Sequence, residues 1–174
     1  TRQAMTAIRS GPGAADCARA SASRTSQANG SLMRISPLGI FGHALPDGEL
    51  AALAGDDSAL THPHPVCRDA CAAYTVAIAM ALRTGATAQE VHRHALAFAH
   101  QTRMEPAVID ALTGARDGPP EDFQTHQGWV LIALRNAFYQ LLHARSLEEG
   151  VVNTVRQGGD TDTNAAIAGA LLGA

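Results

Sequence analysis

The sequence predicts an all-α protein, a compact bundle of roughly eight to ten helices forming one domain over residues 1–174. Three observations carry that expectation. Almost every apolar segment repeats with helical spacing, and none alternates convincingly in the two-residue period of a strand. Alanine fills about a fifth of the chain, and aromatic residues only 4%. Both favour closely packed helices over sheets.

The elements follow in order, read from residue pattern alone. Residues 1–9 look helical from the first residue with no cap before them, and Gly11-Pro12-Gly13 breaks that helix. Residues 14–24 form a small-residue helix, and 25–30 a polar loop. An apolar segment, 31–43, contains Pro37, which limits or kinks helix there. A short helix follows Pro46 and runs to about residue 59. Thr61 to Pro65 reads THPHP, an extended connector, because residues before proline avoid the α region. A long helix over 66–83 ends at Gly85. Thr87 and Glu90 form a capping box for a helix to about residue 100. Residues 104–115 and 126–144 are helical, the second strongly amphipathic. Ser146 and Glu149 form another capping box, Gly158-Gly159 breaks the helix that follows, and the last helix begins near Asp160.

Composition narrows the function. A hydrophobic content of 46% against 17% charged residues describes a chain that buries a core. The net charge of -3 leaves no basic stripe for nucleic acid. All thirteen cationic residues are Arg, which excludes a Walker A loop, a Schiff-base lysine and a lysine nucleophile. Cys17, Cys67 and Cys71 have neither zinc-finger nor disulfide-framework spacing, and the last two read as buried small hydrophobes. The most apolar run, 70–82, is shorter than the roughly 20 residues a bilayer needs. No signal peptide opens the sequence. These features set the expectation of a soluble, cytoplasmic protein with no membrane partner.

The segment Gly158-Gly159-Asp160-Thr161-Asp162-Thr163 carries the chemistry. Two glycines permit an unusual turn, and carboxylates at a helix N-terminus are favoured by the dipole. Clustered hard oxygen donors suit Mg²⁺, Ca²⁺ or Mn²⁺ rather than zinc. A simpler reading competes, that Asp160 is the N-cap of the last helix. An EF-hand fails because Ala165 and Leu171 stand where its glycine and bidentate glutamate belong. The stretch Ser26 to Arg34 is a polar turn entering a helix, a place where backbone N–H groups can cradle an anion. Arg34 reads first as a structural ion pair. His62 and His64 lie in the connector without a third nitrogen or sulfur ligand for a metal. His92, His94 and His100 read as surface residues, and Trp129, the sole tryptophan, as core.

Three motifs in order, ANGSLMRISPLGIFG from Ala28, THPHP from Thr61 and GGDTDTNAAIAGALLGA from Gly158, resemble the ADP-ribosylglycohydrolase family of the dinitrogenase reductase-activating type. The stretch from Gly128 reads like the segment preceding the family's last motif. The resemblance implies an all-α fold around two Mg²⁺ or Mn²⁺ ions, which orient a ribose and activate water against its anomeric carbon. It implies hydrolysis of the bond joining ADP-ribose to a modified side chain, in a protein or a small molecule. By position, Asp160, Asp162 and Thr163 would be metal ligands. Ser26, Gln27, Asn29 and Gly30 would line the ADP-ribose site with Gly159, Gly30 lying near the phosphates. His62 would contact the ribose, and Trp129 would help to enclose the nucleotide. No residue is singled out as catalytic. The family's Thr-Asp-Asp-Thr motif and an upstream acidic residue are absent here, Ala28 stands where Gly is usual, and Gln27 where an aromatic is common. The chain therefore reads as a C-terminal portion, its site completed by an upstream segment or by another chain in a homo-oligomer. Two other classes stay open, a non-catalytic ADP-ribose-binding module and a structural, crystallin-like protein.

Overall fold

The computed structural model describes Thr6 and residues 13–174. Of the helix expected over 1–9 only Thr6 is described, and it is helical; the rest lies outside the described residues. Nine α-helices are described: α1 (Ala14–Ser21), α2 (Ser36–Phe41), α3 (Asp47–Ala59), α4 (Pro65–Thr84), α5 (Ala88–Gln101), α6 (Pro106–Gly114), α7 (Val130–His143), α8 (Leu147–Arg156) and α9 (Thr161–Leu172). A 3-10 turn spans Leu32–Arg34. The described residues hold no strand, only one isolated antiparallel bridge between Ala28 and Trp129. The fold is all-α.

Helix α4 is the axis. Ala70, Cys71, Ala73, Tyr74, Ala77 and Ile78 are completely buried on it, with α2, α3 and α5 packed around it and α7 and α9 meeting it on another side. The small side chains let α2 come so close that a Cβ on Gly39 would stand 3.0 Å from Ile78 Cγ2. Tyr74 carries its hydroxyl across the core and donates to the Ile167 carbonyl of α9 at 2.8 Å, so the buried polar atom is satisfied. By length and apolarity α4 could cross a membrane, more than the 70–82 run implied, but 67% of that window is buried inside this protein. It is a core helix.

Several boundaries moved for local reasons. Pro37 opens α2 from its first turn, where a missing N–H costs nothing, instead of breaking it. The amphipathic pattern from residue 126 becomes helix only at Val130, because Gln27 and Asn29 pair with the backbone at 128–130. The Thr87–Glu90 capping box forms in full. At α8 only half of a box forms: Ser146 Oγ accepts from Glu149 N–H, but the Glu149 carboxylate turns to the Arg145 backbone and guanidinium. His92 corrects the surface reading. It is buried, and its Nε2–H donates to the Leu112 carbonyl at 2.8 Å, linking α5 to α6. His94 joins Arg83 on Asp47, a staple across α3, α4 and α5.

Cys67 and Cys71 are buried as expected, and burial pushes their thiols up to about 12 and about 11. The thiolate is the reactive form. An aromatic disulfide reagent should therefore label exposed Cys17 at once, and the other two only on unfolding. A native-state count of more than one rapid thiol would contradict this packing.

Candidate ligand and metal site

The loop of residues 26–31 is stitched to the start of α7. Asn29 N–H donates to Gly128 O at 2.8 Å and Val130 N–H to Gln27 O at 2.9 Å. Trp129 Nε1–H then donates to Gln27 Oε1 at 2.9 Å. From beneath, the Cys67 thiol lies 3.7 Å from both the Ser26 and Ala28 carbonyls. Ser26 Oγ accepts from Ala28 N–H at 3.4 Å, closing a small local turn. Trp129 is 39% exposed, so it is a wall and not core. Its exposed face borders the polar loop.

The second loop is shaped by its glycines. Gly158 and Gly159 both adopt left-handed backbone, with φ 76° and 70°. A Cβ at Gly159 would lie 2.0 Å from the Phe123 carbonyl oxygen, so the turn is pressed against the 123–127 loop. Gln124 reinforces the contact by donating from Nε2 to Gln157 O at 2.9 Å. The result is an entry to α9 in which Asp160 holds the N-cap position without capping with its side chain. Instead Asp160 Oδ2 accepts from Asn29 Nδ2 at 2.8 Å. That single bond brings the polar loop and the acidic motif together, and it sets aside the simple capping reading. Asp162 is exposed in the first turn of α9, and Thr163 is half-buried beside it.

His62 sits deeper. Its Nδ1 lies 2.8 Å from Thr61 Oγ1, which accepts from Arg34 at 2.7 Å. Arg34 also binds Asp57, through the carboxylate at 2.9 Å and the carbonyl at 2.7 Å, so it is structural, as its residue context implied. Ser58 Oγ lies 3.0 Å from Ser31 Oγ and 3.1 Å from the His62 carbonyl, tying the connector to the 26–31 loop. Ser31 lies within the polar stretch that the sequence singles out, whereas no sequence signal marks Ser58.

Burial, with Arg34 adding to it, lowers the His62 pKa from 6.5 to about 4. The ring is therefore neutral wherever the protein is folded near neutrality. The unfolded chain takes a proton below pH 6.5 that the folded state refuses until about 4. Stability should thus fall as the pH drops through that window and be insensitive to His62 above it. Thermal melts of wild type and His62→Gln at pH 4.5 and 7.5 would check this. The wild type should lose more, and equal losses would mean that His62 is not held neutral.

The acidic motif fits a divalent cation in part. Asp160, Asp162 and Thr163 offer hard oxygens on one loop-to-helix junction, and Asp160 has an oxygen left after Asn29 is served. Asn164, the next residue, is buried with neither side-chain amide atom hydrogen-bonded among the described residues. Such an orphan costs about 1–3 kcal/mol and is tolerated mainly where function needs it. Among the described residues no group of three His, Cys, Asp or Glu stands close enough to hold a metal. These donors do not by themselves enclose an ion among the described residues.

The fold is all-α, and a hydrogen bond from Asn29 to Asp160 joins the 26–31 loop to the carboxylate-bearing start of α9. Residues 1–174 match the ADP-ribosylglycohydrolase family, and the chain belongs to it. A solved structure described as an ADP-ribosylglycohydrolase-related protein complex is similar, with a TM-score of 0.82 and 26% identity. The match covers 99% of this chain and 56% of that one, so the chain spans little more than half of its relative. No curated protein matches it.

Proposed function

We propose that this chain carries the ADP-ribose-binding side of a metal-dependent glycohydrolase that removes ADP-ribose from a modified side chain or small molecule. Family membership supports the glycohydrolase class. The observation that carries the finer reading is the 2.8 Å bond between Asn29 and Asp160, 131 residues apart. It couples the loop suited to the ligand with the residues suited to Mg²⁺.

In this reading Asp160, Asp162 and Thr163 would hold Mg²⁺, or Mn²⁺ in its place. When bound, such ions supply Lewis acidity and charge neutralisation at the ribose. Asn29 holds Oδ2 of Asp160, which leaves Oδ1 outside that bond. His62 is neutral and almost fully buried, so it adds no charge beside the site and supports the connector through Thr61. Ser26 and Gly30 border the loop backbone, whose N–H groups suit a diphosphate. Gly159 lets the turn before Asp160 lie against the Phe123 carbonyl, where a side chain would clash. Trp129 gives a flat apolar surface to the nucleotide. Water exclusion by that ring would strengthen each polar contact.

A second reading has its own support. Since the donors form only part of a cage, the chain could hold ADP-ribose without turning it over. Calorimetric titration of ADP-ribose with and without Mg²⁺ tests both. Binding that needs Mg²⁺ supports the hydrolase-type site. Equal binding without metal supports the binding module, and no binding in either sample overturns both.

A further inference from the structure

We propose that His64, acting through Gln27, is a positioning residue that fixes the Trp129 indole as the wall of the candidate site. The geometry stands by itself, while its consequence for ligand affinity rests on the proposed ADP-ribose reading. An indole N–H can only donate. Trp129 Nε1–H therefore claims the Gln27 carbonyl oxygen, at 2.9 Å. The NH₂ end of the same amide faces His64 Nε2 at 3.3 Å and must donate to it. That bond needs the His64 ring proton on Nδ1.

The other side of the ring wants the opposite. His64 is the N-cap of α4, and its Nδ1 lies 3.3 Å from Val66 N–H, which also donates. A neutral imidazole has one acceptor nitrogen. It cannot accept from Gln27 and from Val66 at once, so the same ring is shared between the relay to Trp129 and the cap of the core helix. Gln27 is the middle link, and its amide is read in one orientation only because the tryptophan sets it.

The ring that this relay holds separates two spaces. One cavity, of 710 Å³, is bordered by Gln27, Ala28 and Gly128. The other, of 480 Å³, is bordered by Asp110, Glu121 and Leu131. Trp129 and His126 line both, with their rings edge to face at 6.4 Å. An indole anchored by its N–H edge keeps the polar loop's space apart from the acidic one. Released, it could turn into either and change which ligand fits.

Trp129 is the only tryptophan, so its emission and acrylamide quenching report the relay in the ligand-free chain. Gln27→Leu should raise quenching and shift the emission. His64→Asn keeps a good helix cap but is too short to reach Gln27. It should change the emission in the same direction with helicity unaltered, although no hydrogen bond or ring contact joins His64 to Trp129. In the Gln27→Leu background the His64 change should add nothing, and Gln27→Glu, which accepts both from the indole and from His64 Nε2–H once Nδ1 takes the Val66 cap, should restore the wild-type signal. ADP-ribose binding should weaken about fivefold in either single variant, the worth of one hydrogen bond. An unchanged emission in His64→Asn, or fully additive effects, would overturn the relay. Wild type that binds no ADP-ribose while the emission changes persist would overturn the functional reading and leave the relay standing.

Discussion

Asp160→Ala is expected to abolish Mg²⁺-dependent binding of ADP-ribose, lowering affinity for the ion by about 100-fold or more. The estimate comes from the gradation around metal sites, where removing even an outer hydrogen-bonding partner costs about 10–100-fold. Asp160 would be a direct ligand, and its carboxylate also anchors Asn29. Removing it thus strips the ion of a ligand and frees the polar loop together. Asn29→Ala removes only the orienting bond and should cost about tenfold, leaving Asp160 able to find its ligand through other rotamers. Mn²⁺ titration followed by paramagnetic resonance, beside calorimetry with Mg²⁺, reads both variants. The ordering of the two is the informative result. Equal losses would make Asn29 a ligand itself, and unaltered affinity in Asp160→Ala would place the ion elsewhere.

Gly159→Ala is expected to be the most destabilising of the glycine-to-alanine substitutions among the described residues. Two effects combine. The backbone sits at φ 70°, where an L side chain is strained. The new Cβ would also lie 2.0 Å from the Phe123 carbonyl oxygen. That atom belongs to the backbone, so it cannot swing aside as a side-chain tip would. Strain of about 1–3 kcal/mol together with forced backbone movement gives about 2–4 kcal/mol. For a chain of this size that lowers Tm by about 5–15 °C. Gly118→Ala is the control, since nothing lies within 4 Å of its added Cβ and its φ is not positive. A melt in which the two variants behave alike would mean that the 158–159 turn is not pressed on Phe123. The same Gly159 variant should also weaken metal binding, because the turn sets the direction of Asp160.

What was legible in the sequence shares one character, that its cause is local in the chain. The Thr87–Glu90 box, the left-handed Gly85 after α4 and the two positive-φ glycines before Asp160 each follow from residues within a few positions of one another. The all-α class follows from periodicity for the same reason, and the family from motifs that are themselves contiguous. Misreadings came where a distant partner competed. Glu149 left Ser146 for Arg145. His92 left the surface because Leu112, twenty residues on, presents a carbonyl to it. The helix expected from residue 126 lost its first turn to the Gln27–Asn29 loop.

By itself, then, the amino-acid order determined an α-helical chain rich in alanine, where its helices start and stop to within a few residues, and which oxygen donors it brings to the start of α9. Only the tertiary structure decided that Asp160 turns from capping to Asn29, that Trp129 stands half in solvent, and that Gln27 links that ring to His64. The physical reason is range. Caps and turn preferences act over one helical turn, whereas these contacts join residues 37, 102 and 131 positions apart and exist only once α4, α7 and α9 have packed around a common core.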